Sequence, residues 1–333
     1  MPLARIIKPG IQTTVQDLGR TGYRHLGIPL AGAVDPWALI AANNLVGNLP
    51  VAACLEMALT GPELYILRDC VIAVTGADLG PRLLGKPLPM WESVYCRSGS
   101  TLSFGYRRSG FRSYLAVAGG IDVPEVLGSR STFLAGRFGG FEGRKMIKGD
   151  LLRAFYPDEV SVGVKFREDV RPVYMDEVSV RVIKGINSVL FSKNEYTKFF
   201  ATFYRVSERT DRMGCCLDGE TRIMPGGEAT GESYPVVPGT VQILPTGQPI
   251  IMLNDAQSTG GYPQIATVVS ADLWQIGQAV PGTKITFRET ETDSAHRLLT
   301  DMNSLVQSTS RPHKLKVFKK TKTNYIVADV EYK

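Results

Sequence analysis

Short apolar runs rich in β-branched residues recur along the chain: VIAVTG at 71–76, SYLAVAG at 113–119, VSVRVIKG at 178–185, GTVQILP at 239–245 and TKITF at 283–287. Gly, Pro and Asp bound these runs, which is the pattern of strands in a barrel or sandwich. Helical periodicity is rarer. Asp35-Pro36 supplies an N-cap followed by proline at the first helical position, ahead of WALIAANNLVGN. Segment 293–308 places Leu298, Leu299, Met302, Leu305 and Val306 on one helical face. Shorter helices are expected at about 188–199 and 271–279. The pattern therefore predicts a mostly β protein with a few short helices.

The regular alternation breaks near 157–176, where YPDEVSVGVKFREDVRPVYMDE is charged and punctuated by proline. A boundary placed there gives a first domain over 1–165, a second over 166–310 and a basic tail over 311–333. The halves echo one another weakly. AVTGADL at 73–79 resembles TVVSADL at 267–273, and DLGRTGY at 17–23 resembles DAQSTGGY at 255–262. The spacing between the paired echoes differs, so they hint at two related barrels and do not define a repeat.

Composition adds limits. A length of 333 residues fits about two domains. With 44% hydrophobic and 21% charged residues, the chain has enough apolar material for real cores. No apolar run has the length of a membrane span, and MPLARIIKPG carries no apolar signal region. Five cysteines, two of them adjacent and none in a CxxC pair, read as packed reduced thiols in the cytoplasm. His25, His296 and His313 lack ligand spacing, so no metal site is expected. Of the formal charge of +6, the tail 311–333 carries +5. The rest is nearly neutral, which argues against a specific nucleic-acid partner and for a solvated or edge-packed tail.

Two segments could carry chemistry. Asp255-Ala-Gln257-Ser258-Thr259-Gly260-Gly261-Tyr262-Pro263 follows the apolar run QPIIML, so a strand opens there into a polar glycine loop. Glycine lets backbone approach a ligand closely, and the side chains around it offer donors and acceptors. A tight turn satisfying its own backbone accounts for the same residues equally well. Ser207-Glu208-Arg209-Thr210-Asp211-Arg212-Met213-Gly214 alternates acids and arginines, which suits an internal ion-pair network or an arginine fork on an anion. Gln12–Arg20 and Leu127–Thr132 combine Gly, Arg and hydroxyls in the same ambiguous way. GGFEGRK at 139–145 is not a phosphate loop, and neither a GxSxG elbow nor an HExxH pair occurs. Chemistry here would rest on Asp, Glu, Arg, Tyr and backbone amides.

QTTVQDLGRTGY, GAVDPWALIAANNLVGN, CLEMALTGPEL, YLAVAGGIDVPEVLGSRST, SERTDRMG and GQPIIMLNDAQSTGGYPQIATVVSADL stand in the order of one family. The chain resembles the allophanate hydrolase subunit 2 or KipA-like family across about 1–290. That family includes the C subunit of 5-oxoprolinase and part of the carboxyltransferase domain of urea amidolyase. Ser258 stands where threonine is usual, and Cys215-Cys216 where an aromatic and an arginine are more typical. The resemblance implies two cyclophilin-like β-barrel domains and a heteromer whose other member is a KipI-like B subunit. A LamB/YcsF-like A subunit would complete the opening of the small-molecule substrate 5-oxo-L-proline to L-glutamate, with ATP and Mg2+ shared with the partner. The chain alone would then be an inactive part of a hydrolase. Within this expectation Asp255, Asp211 and Arg212 are the catalytic candidates. Gln257, Thr259, Gly260, Gly261 and Tyr262 are the substrate-binding candidates, with Arg20 and Arg130 joining them from the first half. Two rivals stand beside it: biotin-dependent carboxyl transfer of the urea or allophanate type, and a KipA-like binding protein that antagonises a KipI-type kinase inhibitor.

Overall fold

The structure is a computed structural model that describes residues 2–226, 232–308, 310–320 and 325–329, with side chains described as far as residue 306. It is mostly β and divides into two compact units. The first comprises Met1–Arg20, Ala31–Val173 and Ser304–Lys333; the second comprises Thr21–Leu30 and Tyr174–Asn303.

The first unit is built on two sheets. The six-stranded one includes Ala4–Lys8, Glu63–Ile66 and Thr101–Ser103. The five-stranded one runs in the order Gln12–Gln16, Cys54–Ala58, Ser109–Val117, Cys70–Asp78, Ser93–Cys96. Strand alternation explains the core. Leu55, Met57, Ile72, Val74, Leu115 and Val117 point one way and pack against Ile6, Leu64, Ile66 and Leu102 of the other sheet. The alternate residues Cys54, Val71, Ala73, Tyr114 and Ala116 point the other way, onto the helix Pro36–Leu45. That helix begins where the sequence predicts, with Asp35 Oδ1 accepting the Ala38 amide at 3.0 Å. Cys70 lies directly opposite Cys96 in the sheet, and both are buried. A hydrogen bond with Cys70, then burial, pushes the Cys96 thiol well above its usual value, as suits packed thiols.

The second unit is a closed barrel in the order Glu177–Lys184, Gln264–Val268, Thr240–Ile243, Pro249–Met252, Gly214–Gly219, Tyr204–Val206, Lys284–Glu289. Closure leaves no free sheet edge. Phe199, from the helix Lys193–Ala201, stacks on Phe287 with 4.5 Å between ring centroids, and Tyr204 meets Phe287 edge-on. The predicted helices at 188–199 and 271–279 each resolve into a 3-10 turn followed by an α-helix, at Lys193–Ala201 and Leu273–Gln278. Among the described residues no helix is long and apolar enough to cross a membrane.

The units differ from the expected boundaries, and strand pairing is the reason. Glu159–Phe166 pairs antiparallel with Ser310–Lys320, from Glu159 opposite Lys319 to Phe166 opposite Ser310. Tyr325–Asp329 then adds outside Ser310–Lys320. The tail thus belongs to the first unit by its backbone, whereas its side chains, and the basic charge assigned to them, lie outside the described residues. The register slips between Val162 and Val164, where Gly163 takes φ 83°, a bulge that a residue with a Cβ would resist. The composition shift at 157–176 marks the linker and the strand before it together, so the units part at 173/174.

Deleting residues 309–333 should strip the edge from Glu159–Phe166, whose Val160 and Phe166 belong to the core. At a net ~0.5–1.5 kcal/mol per lost ladder bond, the melting temperature should fall by roughly 5–10 °C. An unchanged melting temperature would show that the added strands contribute nothing to the unit.

Candidate functional site

Ser207–Gly214 joins two neighbouring barrel strands, Tyr204–Val206 and Gly214–Gly219. Asp211 Oδ1 accepts the backbone amides of Met213 at 2.7 Å and Gly214 at 3.2 Å, so this exposed carboxylate closes the turn. The turn drives Arg212 inward. Its Nε donates to Asp255 Oδ2 at 3.0 Å and its Nη2 to Asp255 Oδ1 at 2.9 Å, with both side chains 4% exposed. The Asp255 amide returns a bond to the Arg212 carbonyl at 3.0 Å. Two of the three catalytic candidates therefore hold each other in a bidentate pair, and the third shapes the turn beside them. Arg209 remains outside, bonded to Asp218 at 2.9 Å.

Beyond Asp255 the chain rises to the surface. Thr259–Gly260 pairs with Tyr234–Pro235, and the Val236 amide donates to the Ser258 carbonyl at 2.9 Å. Gln257, Thr259, Gly261 and Tyr262 are exposed. Beneath them lie buried carboxamides. Gln264 Nε2 donates to the Pro235 carbonyl at 2.9 Å, and Gln242 Nε2 reaches the Tyr262 carbonyl at 3.4 Å. A Cβ on Gly260 would stand 2.8 Å from Gln242 Nε2, 3.2 Å from Val236 Cγ2 and 3.4 Å from Gln257 Nε2, so the hairpin packs too closely there to take a side chain without a shift. The binding candidates thus share one hairpin, and the ion pair at its root sets where it starts.

Arg24 is a member of this group that the sequence reading passed over. It arrives from the Thr21–Leu30 segment, and its Nη2 donates to the carbonyls of Val236 and Gln257. Only its distance along the chain hid it; RHLGIP contains no pattern that points to a loop 233 residues away.

Arg20 and Arg130 have other work within the first unit. Arg20 is 1% exposed; its Nη2 donates to the Ser131 carbonyl at 2.7 Å and its guanidinium lies 4.8 Å from the centroid of the Phe138 ring. Arg130 Nη1 meets Glu125 at 2.6 Å, and its amide donates to Asp17 Oδ2 at 2.6 Å. Asp17 Oδ1 also accepts from Ser129 at 2.7 Å and Ser131 at 2.5 Å, which fixes the 127–132 loop that the sequence singled out.

A second buried polar group lies on the helix-facing side of the five-stranded sheet. Thr14, Glu56, Tyr114 and Thr75 stand directly opposite one another across four strands, none more than 4% exposed. The Tyr114 hydroxyl donates to Glu56 Oε2 at 2.8 Å and accepts the Asp35 amide at 2.9 Å. The Arg112 guanidinium stands 3.8 Å from Glu56 Oε1. Burial, then the charges of Glu56 and Asp35, hold the Tyr114 hydroxyl well above its ordinary value, so it stays a donor at neutral pH. A lone glutamate inside CLEMA and an arginine inside FRSYLAV were the available signals. Among the described residues no group of three or more His, Cys, Asp or Glu side chains converges to hold a metal ion.

The chain matches the carboxyltransferase domain, subdomain A and B, over residues 26–289. It is 36% identical to the C subunit of 5-oxoprolinase from Escherichia coli over 297 residues, which covers 88% of this chain and 93% of that protein. It is 33% identical to the urea amidolyase of Saccharomyces cerevisiae over 91% of this chain and 17% of the relative. The crystal structure of the K. lactis urea amidolyase superposes with a TM-score of 0.85 at 27% identity, covering 96% of this chain and 22% of that one. The chain therefore spans about a fifth of the urea amidolyases it matches and nearly the whole of the 5-oxoprolinase relative.

Removing one partner of a buried ion pair strands the other charge. Asp255→Ala should therefore cost about 3–5 kcal/mol in urea denaturation, and Asp255→Leu combined with Arg212→Met should recover much of it. A loss under about 1 kcal/mol for Asp255→Ala, the level of a surface pair, would contradict the buried geometry.

Proposed function

Because this chain belongs to the carboxyltransferase-domain family of subdomains A and B, we propose that it is the C subunit of an ATP-dependent 5-oxoprolinase. Together with a KipI-like B subunit, and with a LamB/YcsF-like A subunit, it opens 5-oxo-L-proline to L-glutamate. The observation that carries this reading is the extent of the likeness to the 5-oxoprolinase relative, 88% of this chain against 93% of that protein.

A lactam carbonyl is a poor electrophile, and ATP supplies the phosphoryl group that turns its oxygen into part of a leaving group. In this reading ATP and Mg2+ are shared with the partner subunit, and the part of the side chains in this chain is to bind and orient. Gln257, Thr259 and Tyr262 present donors and acceptors on an exposed hairpin, and Gly260 and Gly261 let a small ring come close to the backbone. Arg212 and Asp255 hold the root of that hairpin, with Asp211 closing the neighbouring turn. A bidentate pair is a rigid anchor, because the planar guanidinium matches the carboxylate in only a few orientations. Rigid support of this kind keeps polar groups aimed where charge develops.

Carboxyl transfer is the second reading. The family's own description and the superposition on urea amidolyase over 96% of this chain favour it. The two readings separate in one assay. Co-expressed with its KipI-like and LamB/YcsF-like partners, the chain should form a stable heteromer that releases ADP and glutamate only when 5-oxo-L-proline is present. The isolated chain should produce no glutamate. Urea- and biotin-dependent ATP turnover by the same complex would replace the proposal with carboxyl transfer. In the working complex Arg212→Ala should lower turnover per folded complex by about 10²-fold, the size of an effect from misplaced orienting groups, with Arg212→Lys recovering part of it. Normal turnover per folded complex would remove Arg212 from the site.

A further inference from the structure

The hairpin that carries Thr259, Gly260 and Tyr262 is held on both arms by carboxamides of the barrel beneath it. Gln264 Nε2 donates to the Pro235 carbonyl at 2.9 Å, and Gln242 Nε2 to the Tyr262 carbonyl at 3.4 Å. Pro235 and Thr259 are cross-strand partners, so the first of these bonds fixes the arm against which the binding candidates pair. Gln242 and Gln264 are 1% and 3% exposed, and packing sets both side chains.

A break in the strand ladder puts the two carboxamides side by side. Between Thr240–Ile243 and Gln264–Val268, Thr240 stands opposite Thr267 and Val241 opposite Ala266, and the register then jumps to Gln242 opposite Gln264. Ile265 is the extra residue of a β-bulge. In an unbroken ladder Gln242 would face Ile265, and Gln264 would fall on the other face of the sheet. The bulge therefore re-aims Gln264 toward Pro235.

The extra residue of a bulge drops out of the ladder, so its backbone groups need partners elsewhere. Ile265 is fully buried, and its carbonyl takes two donors from other elements. The Gly185 amide reaches it at 2.9 Å, and the Tyr196 hydroxyl, from the helix Lys193–Ala201, also at 2.9 Å. A Cβ on Gly185 would stand 2.2 Å from the Gln264 carbonyl oxygen, so this close approach demands glycine. Two residues on, the Oδ1 of buried Asn187 accepts the Gln264 amide at 3.1 Å.

We propose that Gln264 is a positioning residue for the binding hairpin and that the Tyr196 hydroxyl, acting through the Ile265 carbonyl, is its remote brace. The inference deepens the 5-oxoprolinase reading and rests on it for the identity of the substrate. Without the brace the bulge loses a donor on its buried carbonyl, Gln264 loses its fixed aim at Pro235, and the arm opposite Thr259 loosens.

The test pairs amide hydrogen exchange of the full chain with steady-state kinetics of the co-expressed complex. Tyr196→Phe removes one hydroxyl that touches neither the hairpin nor a binding candidate. Gln264→Met keeps the length of the side chain and removes its donor. The Val236 amide, bonded to the Ser258 carbonyl, reports on the hairpin, and the Val206 amide, bonded to the Thr283 carbonyl, is the barrel control. Each variant should speed exchange at Val236 by about 3–10-fold, the size of one lost hydrogen bond, with Val206 unchanged. KM for 5-oxo-L-proline should rise by a similar factor, with kcat changed less. Exchange raised equally at both amides would mean a general loss of stability and would overturn the proposal, as would unchanged exchange at Val236. A loosened hairpin with a normal KM would overturn the positioning role. Faster exchange confined to the hairpin, in a complex that turns over no 5-oxo-L-proline, would sustain the brace and reject the oxoprolinase reading.

Discussion

The barrel unit hangs its candidate hairpin on one interaction, the bidentate pair between Arg212 and Asp255. A charge that is 4% exposed must be matched, because an unpartnered ion in low dielectric is among the costliest things a fold can contain. Matching it here ties together two loops 43 residues apart in sequence. The backbone repeats the tie, with the Asp255 amide on the Arg212 carbonyl and the Leu253 amide on the Met213 carbonyl. The consequence is positional. With Asp255 fixed, the chain from Gln257 to Tyr262 has a defined starting point and can pair its middle with Tyr234–Pro235.

The first unit solves a similar problem with hydrogen bonds. Asp17 collects Ser129, Ser131 and the Arg130 amide, and so fixes a loop more than 100 residues away. Glu56 collects Tyr114 and the Val34 amide, and Tyr114 collects the Asp35 amide at the start of the helix. Each carboxylate is surrounded by donors, the condition under which a buried acid is tolerated. Ala31, at φ 52° and fully buried, sits at the beginning of that helix entry, where the backbone is held in a conformation a side chain resists. Such networks are rigid, so the polar residues of GAVDP and LGSRST act as internal joints in this unit.

The same residue type thus does different work according to its neighbours. Arg212 and Arg20 are both buried, and both bond inside their own unit, to a carboxylate and to a carbonyl respectively. Arg24 is partly buried, and its Nη2 donates to the carbonyls of Val236 and Gln257 within the second unit. Charge in a sequence says nothing of this difference; the partner decides it.

Strand-rich architecture, the helix at Pro36–Leu45 and the loop at 255–263 were all legible in the sequence, because they follow from local rules. Alternation, an Asp-Pro cap and a glycine-rich opening after an apolar run act over a few residues. The ordered segments from QTTVQDLGRTGY to TVVSADL also sufficed to place the chain in its family. Tertiary structure alone decided the rest. That Asp255 takes the Arg212 fork, that Glu56 lies in a row with Thr14, Tyr114 and Thr75, that Thr21–Leu30 joins the second unit, and that Ser310–Lys320 completes a sheet with Glu159–Phe166 are all pairings between distant segments. A local pattern reports how a segment wants to bend and which face it hides. It carries no record of which remote carbonyl, carboxylate or strand edge will satisfy it, because that choice is made by the packing of the whole chain.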